Sequence, residues 1–222
     1  MKTRIIVALV TLCLFSSCIV KSLNPFYTKD TIHYDPSFTG NWKDSKNGEW
    51  IIESFKDNKD IDFEEDVKHF EINGEDVDVS IFNNAYTIEY IKNNKKVKFL
   101  GFLFLLEGQL FIDFMPFQYD NKDTNDLASA HLIETHSLAR VNRLQNGTLQ
   151  IDWLAEERLN ELFEKKAIHI KHEKLGFYGQ NFVLSAKSEE LQTFLKKYMK
   201  SDNPDKWKTE TKYTLTKTHA KP

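Results

Sequence analysis

The stretch Val97–Phe117, VKFLGFLFLLEGQLFIDFMPF, constrains the fold more than any other. Two dense apolar runs, Phe99–Leu106 and Leu110–Phe117, meet at Glu107-Gly108-Gln109. Their aromatic residues and leucines favour a pleated, packed surface. Each run has the length of a strand, and Gly108 can adopt the positive φ that a tight hairpin turn requires. Pro116 marks the far boundary. Neither run alternates cleanly between apolar and polar, so both faces of this hairpin are expected to be covered. A membrane-spanning helix needs ~20 uninterrupted apolar residues, and Glu107, Gly108, Gln109 and Asp113 break the run.

The flanking sequence reads as more short strands. Glu49–Phe55 is expected to be the first strand of the body, before a charged connection at Asp57–Asp66. Val67–Ile72, Asp76–Phe82 and Tyr86–Ile91 alternate apolar and polar residues, with turns expected at Asn73-Gly74, Asn83-Asn84 and Asn93-Asn94. His131–Leu144 resumes strand character, and Asn146-Gly147 turns it into Thr148–Trp153. Ile168–Leu175 and Asn181–Ala186 look like two further strands, and Lys212–Thr218 a closing one.

Two helices interrupt this order. One is expected over about 153–166, capped by Asp152, with Ala155, Leu159, Leu162 and Phe163 on one face. The other is expected over 188–200, capped by Ser188, with Leu191, Phe194, Leu195 and Tyr198 at helical spacing. The sequence therefore predicts a mainly β (α+β) fold. Its antiparallel meander would close into a barrel or a strongly curved sheet.

The first eighteen residues have the anatomy of a secretory signal. Lys2 and Arg4 form a basic n-region, and Ile5–Phe15 an apolar h-region. That h-region reaches only roughly 16 Å as a helix, too short to span a bilayer. The segment Leu14-Phe15-Ser16-Ser17-Cys18 resembles the lipobox of bacterial lipoproteins. The resemblance implies cleavage between Ser17 and Cys18 and acylation of the Cys18 thiol. Residues 1–17 would then be a signal peptide, 18–37 a lipidated N-terminus and tether, and 38–222 one β-rich domain. The only other cysteine, Cys13, would leave with the signal. The mature chain would have no disulfide framework and no thiolate metal site.

Net charge is −3 for the whole chain, and it becomes more negative once Lys2 and Arg4 are removed. No basic stripe is present, which argues against nucleic acid as a partner. The chain contains no phosphate-binding glycine loop, no dinucleotide fingerprint and no nucleophile elbow. No cofactor is expected.

Few residues are candidates for chemistry. Asp113 sits among Leu110, Phe111, Ile112, Phe114 and Met115. A carboxylate buried there must be paired, or its pKa rises. It serves either as an acid/base group in a pocket or as a structural acceptor for a backbone N–H or a nearby His or Arg. His131 and His136 flank LIET, and on a strand their spacing puts them on opposite faces. Glu134 shares a face with His136, so an inward Glu134–His136 pair would make a polar spot in a barrel cavity. His169 and His172 have metal-like residue types but the wrong strand spacing, and no metal site is expected.

The tripeptide Gly40-Asn41-Trp42 resembles the lipocalin entry motif, in which the Trp plugs one end of the barrel. Taken in order, the chain is similar to uncharacterised lipoproteins of gram-negative bacteria that carry lipocalin-like barrels. The resemblance implies an envelope protein anchored by Cys18, at the outer membrane, that binds a small apolar ligand or an envelope protein without catalysis. Two alternatives stand beside it. One is an envelope hydrolase or other enzyme using Asp113 with His131 or His136. The other is a packed structural lipoprotein without a ligand. The helix expected near 153–166 departs from a simple meander and sets full closure against an open, curved sheet.

Overall fold

The computed structural model describes residues 19–58, 79–119, 132–176, 179 and 181–218. The described strands begin with β1 (Lys21–Ser22), β2 (Gly40–Asp44), β3 (Glu49–Ser54), β4 (Ala85–Lys92), β5 (Lys95–Leu106) and β6 (Gln109–Tyr119). They continue with β7 (His136–Arg143), β8 (Leu149–Trp153), β9 (His172–Leu175), β10 (Asn181–Leu184) and β11 (Lys212–Lys217). Helix α1 (Glu156–Glu164) follows β8, and α2 (Ser188–Lys200) follows β10. Consecutive strands from β2 to β8 pair antiparallel, and β11 fits between β8 and β2. Eight strands thus close a barrel, lipocalin-like in strand number and closure. The stretch from α1 to α2 is an excursion between its seventh and eighth strands.

Turn chemistry sets the hairpins. Glu107 and Gly108 both have positive φ (51° and 77°), as do Asn93 and Asn94 (52° and 60°). Two-residue hairpin turns that match strand twist require this, and Gly and Asn tolerate it best. The central hairpin has two covered faces, as its sequence requires. Leu103, Ile112 and Phe114 point into the barrel, while Phe102, Phe104 and Phe111 point out under other elements.

The barrel interior is filled with aromatic side chains. The Trp50 ring centroid lies 4.8 Å from that of Tyr90 and 5.6 Å from that of Tyr213, and Phe114 stacks on Trp153 at 4.9 Å. Such contacts leave the lumen packed rather than hollow. Outside, α2 lays Leu191, Phe194, Leu195 and Tyr198 on the barrel wall.

Several expectations are corrected. Residues 19–37 do not form a tether. Lys21–Ser22 pairs with β7 and β10, and Val20 and Phe26 are fully buried. The chain then crosses the outer wall, where His33 N–H donates to the Leu103 carbonyl (2.8 Å). Its apolar residues, Val20, Phe26 and Tyr27, fill a wall that α2 leaves open. The first barrel strand is β2 rather than Glu49–Phe55. Residues 79–84 form a 3-10 helix, so Asn83-Asn84 ends that helix instead of turning a hairpin. The stretch 59–78, with Val67–Ile72 and Asn73-Gly74, lies outside the described residues. Asp152 lies in β8 and caps nothing, because its carboxylate is taken by Arg140 (2.9 Å) and Gln150 (2.9 Å). Helix α1 starts after Ala155. Ser188 is inside α2, whose first turn is fixed by Glu190 accepting the Lys187 N–H (2.9 Å). Residues 168–171 are not part of a strand.

Candidate functional site

Asp113 lies on β6 and points outward, in phase with Phe111. It is 1% exposed, sealed between the barrel wall and the crossing N-terminal segment. One carboxylate oxygen accepts the Phe26 N–H (2.9 Å) and the other is bonded to His136 Nδ1 (2.7 Å). His136 opens β7, where it pairs with Ser22 of β1. The carboxylate therefore ties three distant stretches together: strand β6, the start of β7, and the segment that crosses over both.

Electrostatics follow from that seal. Burial alone would depress the His136 pKa, but the Asp113 charge and hydrogen bond, helped by Glu134, more than offset it and raise the pKa. Burial pushes the neighbouring Tyr27 phenol up, and the Asp113 charge adds to it. The expected inward Glu134–His136 pair does not form. Glu134 is exposed, outside any strand, and His136 faces away from the lumen. The reason is parity: β7 directs Ala139 and Val141 inward, so His136, Leu138 and Arg140 point out.

The Asp–His pair has a nearby hydroxyl but no access. Ser22 is fully buried; its Oγ donates to the Leu184 carbonyl (3.4 Å) and accepts the Asn24 N–H (3.2 Å). His131, Ser17 and Cys18 lie outside the described residues.

Gly40 and Trp42, the residues of the entry motif, both lie in β2. Gly40 has φ 126°, and a Cβ there would meet Lys217 Cε at 2.7 Å, so only glycine suits the position. Trp42 is 3% exposed and donates from Nε1 to the Phe38 carbonyl (3.0 Å), while Lys217 sits 5.2 Å above its ring. Trp42 thus belongs to the buried interior cluster with Phe38 and Trp50.

The open space is outside the barrel. A groove of about 690 Å³ runs between α2 and the extended residues 167–171, with Leu162, Ile168, Ile170, Phe194 and Tyr198 along it. Lys171, Glu189, Thr193 and Lys197 form its rim. On the other side of residues 168–170 is a more polar cavity of about 740 Å³, lined by Phe163, His172, Lys174 and Phe182 among others. His172 there packs on Phe163 at 4.1 Å between ring centroids. A third cavity of about 390 Å³ lies beside Arg140 and Trp207. Asp113, Glu134 and His136 line none of the three. Among the described residues no cluster of three or more His, Cys, Asp or Glu is placed to hold a metal ion.

The groove was not visible in the sequence. Phe194 and Tyr198 carry the signature of a helix face that packs, and they do pack. The gap beside them arises because residues 167–170 run outside the sheet, and no side-chain pattern announces that departure. Comparison of the chain with family models, curated proteins and solved structures finds no match in any of the three.

Proposed function

We propose that this chain is a non-enzymatic binding protein, held at a bacterial envelope membrane by an acylated Cys18. Its binding site would be the groove between α2 and residues 167–171, and its ligand a small apolar molecule. One observation carries the binding reading. The lumen is occupied by Trp42, Trp50, Phe114 and Trp153, while an apolar recess of about 690 Å³ lies outside it. That volume falls within the ~300–1,000 Å³ of small-molecule sites. The polar rim would orient a head group at the groove's mouth. The anchor rests on the lipobox-like Leu14–Cys18 segment and the h-region before it.

The enzyme alternative has the Asp113–His136 contact in its favour. The seal over that pair weighs against it, because a general base needs a route to its substrate.

Titration with N-phenyl-1-naphthylamine, read by fluorescence, tests the groove. Saturable binding is expected for the full chain. At least a tenfold loss is expected in Thr193→Trp, which fills the mouth, and in Ile168→Glu, with urea midpoints held. Absence of saturable binding would leave the packed structural lipoprotein as the better reading. Equal binding by all three chains would place the probe elsewhere and remove the groove.

A further inference from the structure

The barrel has no edges, but the sheet that branches from it does. β1 pairs with β7 and β10, β10 pairs with β9, and β9 ends the strand order. Among the described residues β9 has no second partner strand. An open edge presents a row of unpaired N–H and C=O groups, a template for another strand. We propose that β9 is a self-association edge. Two copies of this chain would pair antiparallel through it, about a two-fold axis at His172.

The hydrogen-bond phase limits the possible registers. Ser185 N–H donates to the Lys171 carbonyl (3.0 Å), and the β9–β10 register continues as Glu173 with Val183 and Leu175 with Asn181. In an antiparallel pair, bonded and non-bonded residues alternate. The odd-numbered residues therefore bond to β10. His172 and Lys174 turn their backbone groups to the free side, and just before them the Ile170 carbonyl accepts from His172 Nδ1 (2.9 Å) while keeping a second lone pair. A two-fold pairing must set even residues against even ones, so its centre falls at 171, 172 or 173.

Charge chooses among these. Lys171 and Glu173 are both exposed, on the face away from Phe163 and Phe182. A centre at 171 sets Lys171 against Lys171. A centre at 173 sets Glu173 against Glu173. Only the centre at His172 sets Lys171 of each copy against Glu173 of the other, twice by symmetry. Opposite charges directly across a pair stabilise it and like charges oppose it. The contact is isologous, so it closes at two copies and does not propagate. Charged residues on a short edge discourage other strands, yet here their order suits a second copy.

Site-directed cross-linking in the native envelope tests this. At the two-fold centre the two His172 Cα atoms would stand ~5.5 Å apart, within disulfide range. His172→Cys is expected to give a disulfide-linked dimer on mild oxidation, and His169→Cys is expected not to. In the His172→Cys background, Lys171→Glu and Glu173→Lys should each cut the yield at least tenfold, and the double reversal should restore it. Sedimentation of the full chain in detergent should show a dimer. A monomer at all concentrations without the His172→Cys product overturns the proposal. So does a double reversal that fails to recover. Neither result depends on what the groove binds.

Discussion

The run Leu110–Met115 gives Asp113 no polar neighbour in sequence, yet its carboxylate is bonded on both oxygens. The partners come from Phe26 and from His136, and only folding brings them near. Removing that carboxylate would leave the buried His136 ring and the buried Phe26 N–H without their acceptor. Breaking such a pair costs about 3–5 kcal/mol, so Asp113→Ala should lower the unfolding free energy measured in urea by that much. The pH dependence has a definite sign. The folded pKa of His136 is raised above the unfolded value of about 6.5. The contribution is fully present below that unfolded value and is lost as pH rises through the higher folded one. Stability of the wild type should fall across that window, and His136→Gln should flatten the fall. Equal pH slopes for the two proteins would show that the pair is not charged. Sequence alone showed that Asp113 must be satisfied. It did not show by whom, because strand parity and the crossing segment decide that.

Among elements, the hairpins were the most legible. Asn93-Asn94, Glu107-Gly108 and Asn146-Gly147 each carry residues suited to left-handed backbone, and each turns where its side chains demand. The β2–β3 turn was missed. Its signal lies in Asp44, which accepts the Lys46 N–H (2.7 Å), the Gly48 N–H (2.8 Å) and Trp50 Nε1 (2.8 Å). A Cβ on Gly48 would stand 2.4 Å from both Asp44 Oδ2 and Tyr90 Cε2. Gly48→Ala should therefore cost about 1–3 kcal/mol, the usual range for overpacking, measured by urea unfolding. An unchanged midpoint would mean the Asp44 side chain can leave its three donors at no cost. The sequence around the 3-10 helix at 79–84 resembles a strand because Val77, Val79 and Ile81 fit a two-residue period. Ile81 and Phe82 instead pack as a pair onto the outer cluster.

For the molecule as a whole, barrel closure was left open by the sequence, and the outcome is physical. The helix expected near 153–166 departs from a simple meander, yet α1 and α2 do not end it. They form a detour that covers the apolar outer faces of β5–β7, and β11 returns to zip β8 to β2. The density of apolar residues on both faces of the central hairpin already required such a cover. Which elements supplied it was hidden, because the N-terminal segment reads as polar and proline-broken. The anchor belongs to this scale too. Cys18→Ala should move the protein from the membrane to the soluble fraction of fractionated cells, and unchanged partitioning would remove acylation from the reading.

Ile19 forms a bridge with Ala155, and Val20 N–H donates to the Leu154 carbonyl (2.9 Å). The first described residue is thus already bolted to the body. A lipid on the preceding cysteine would have no leash to pay out, since adjacent Cα atoms are only ~3.8 Å apart. The protein would ride flush with the bilayer in one fixed attitude, like a plaque rather than a kite, and only the sides facing away would be open to visitors.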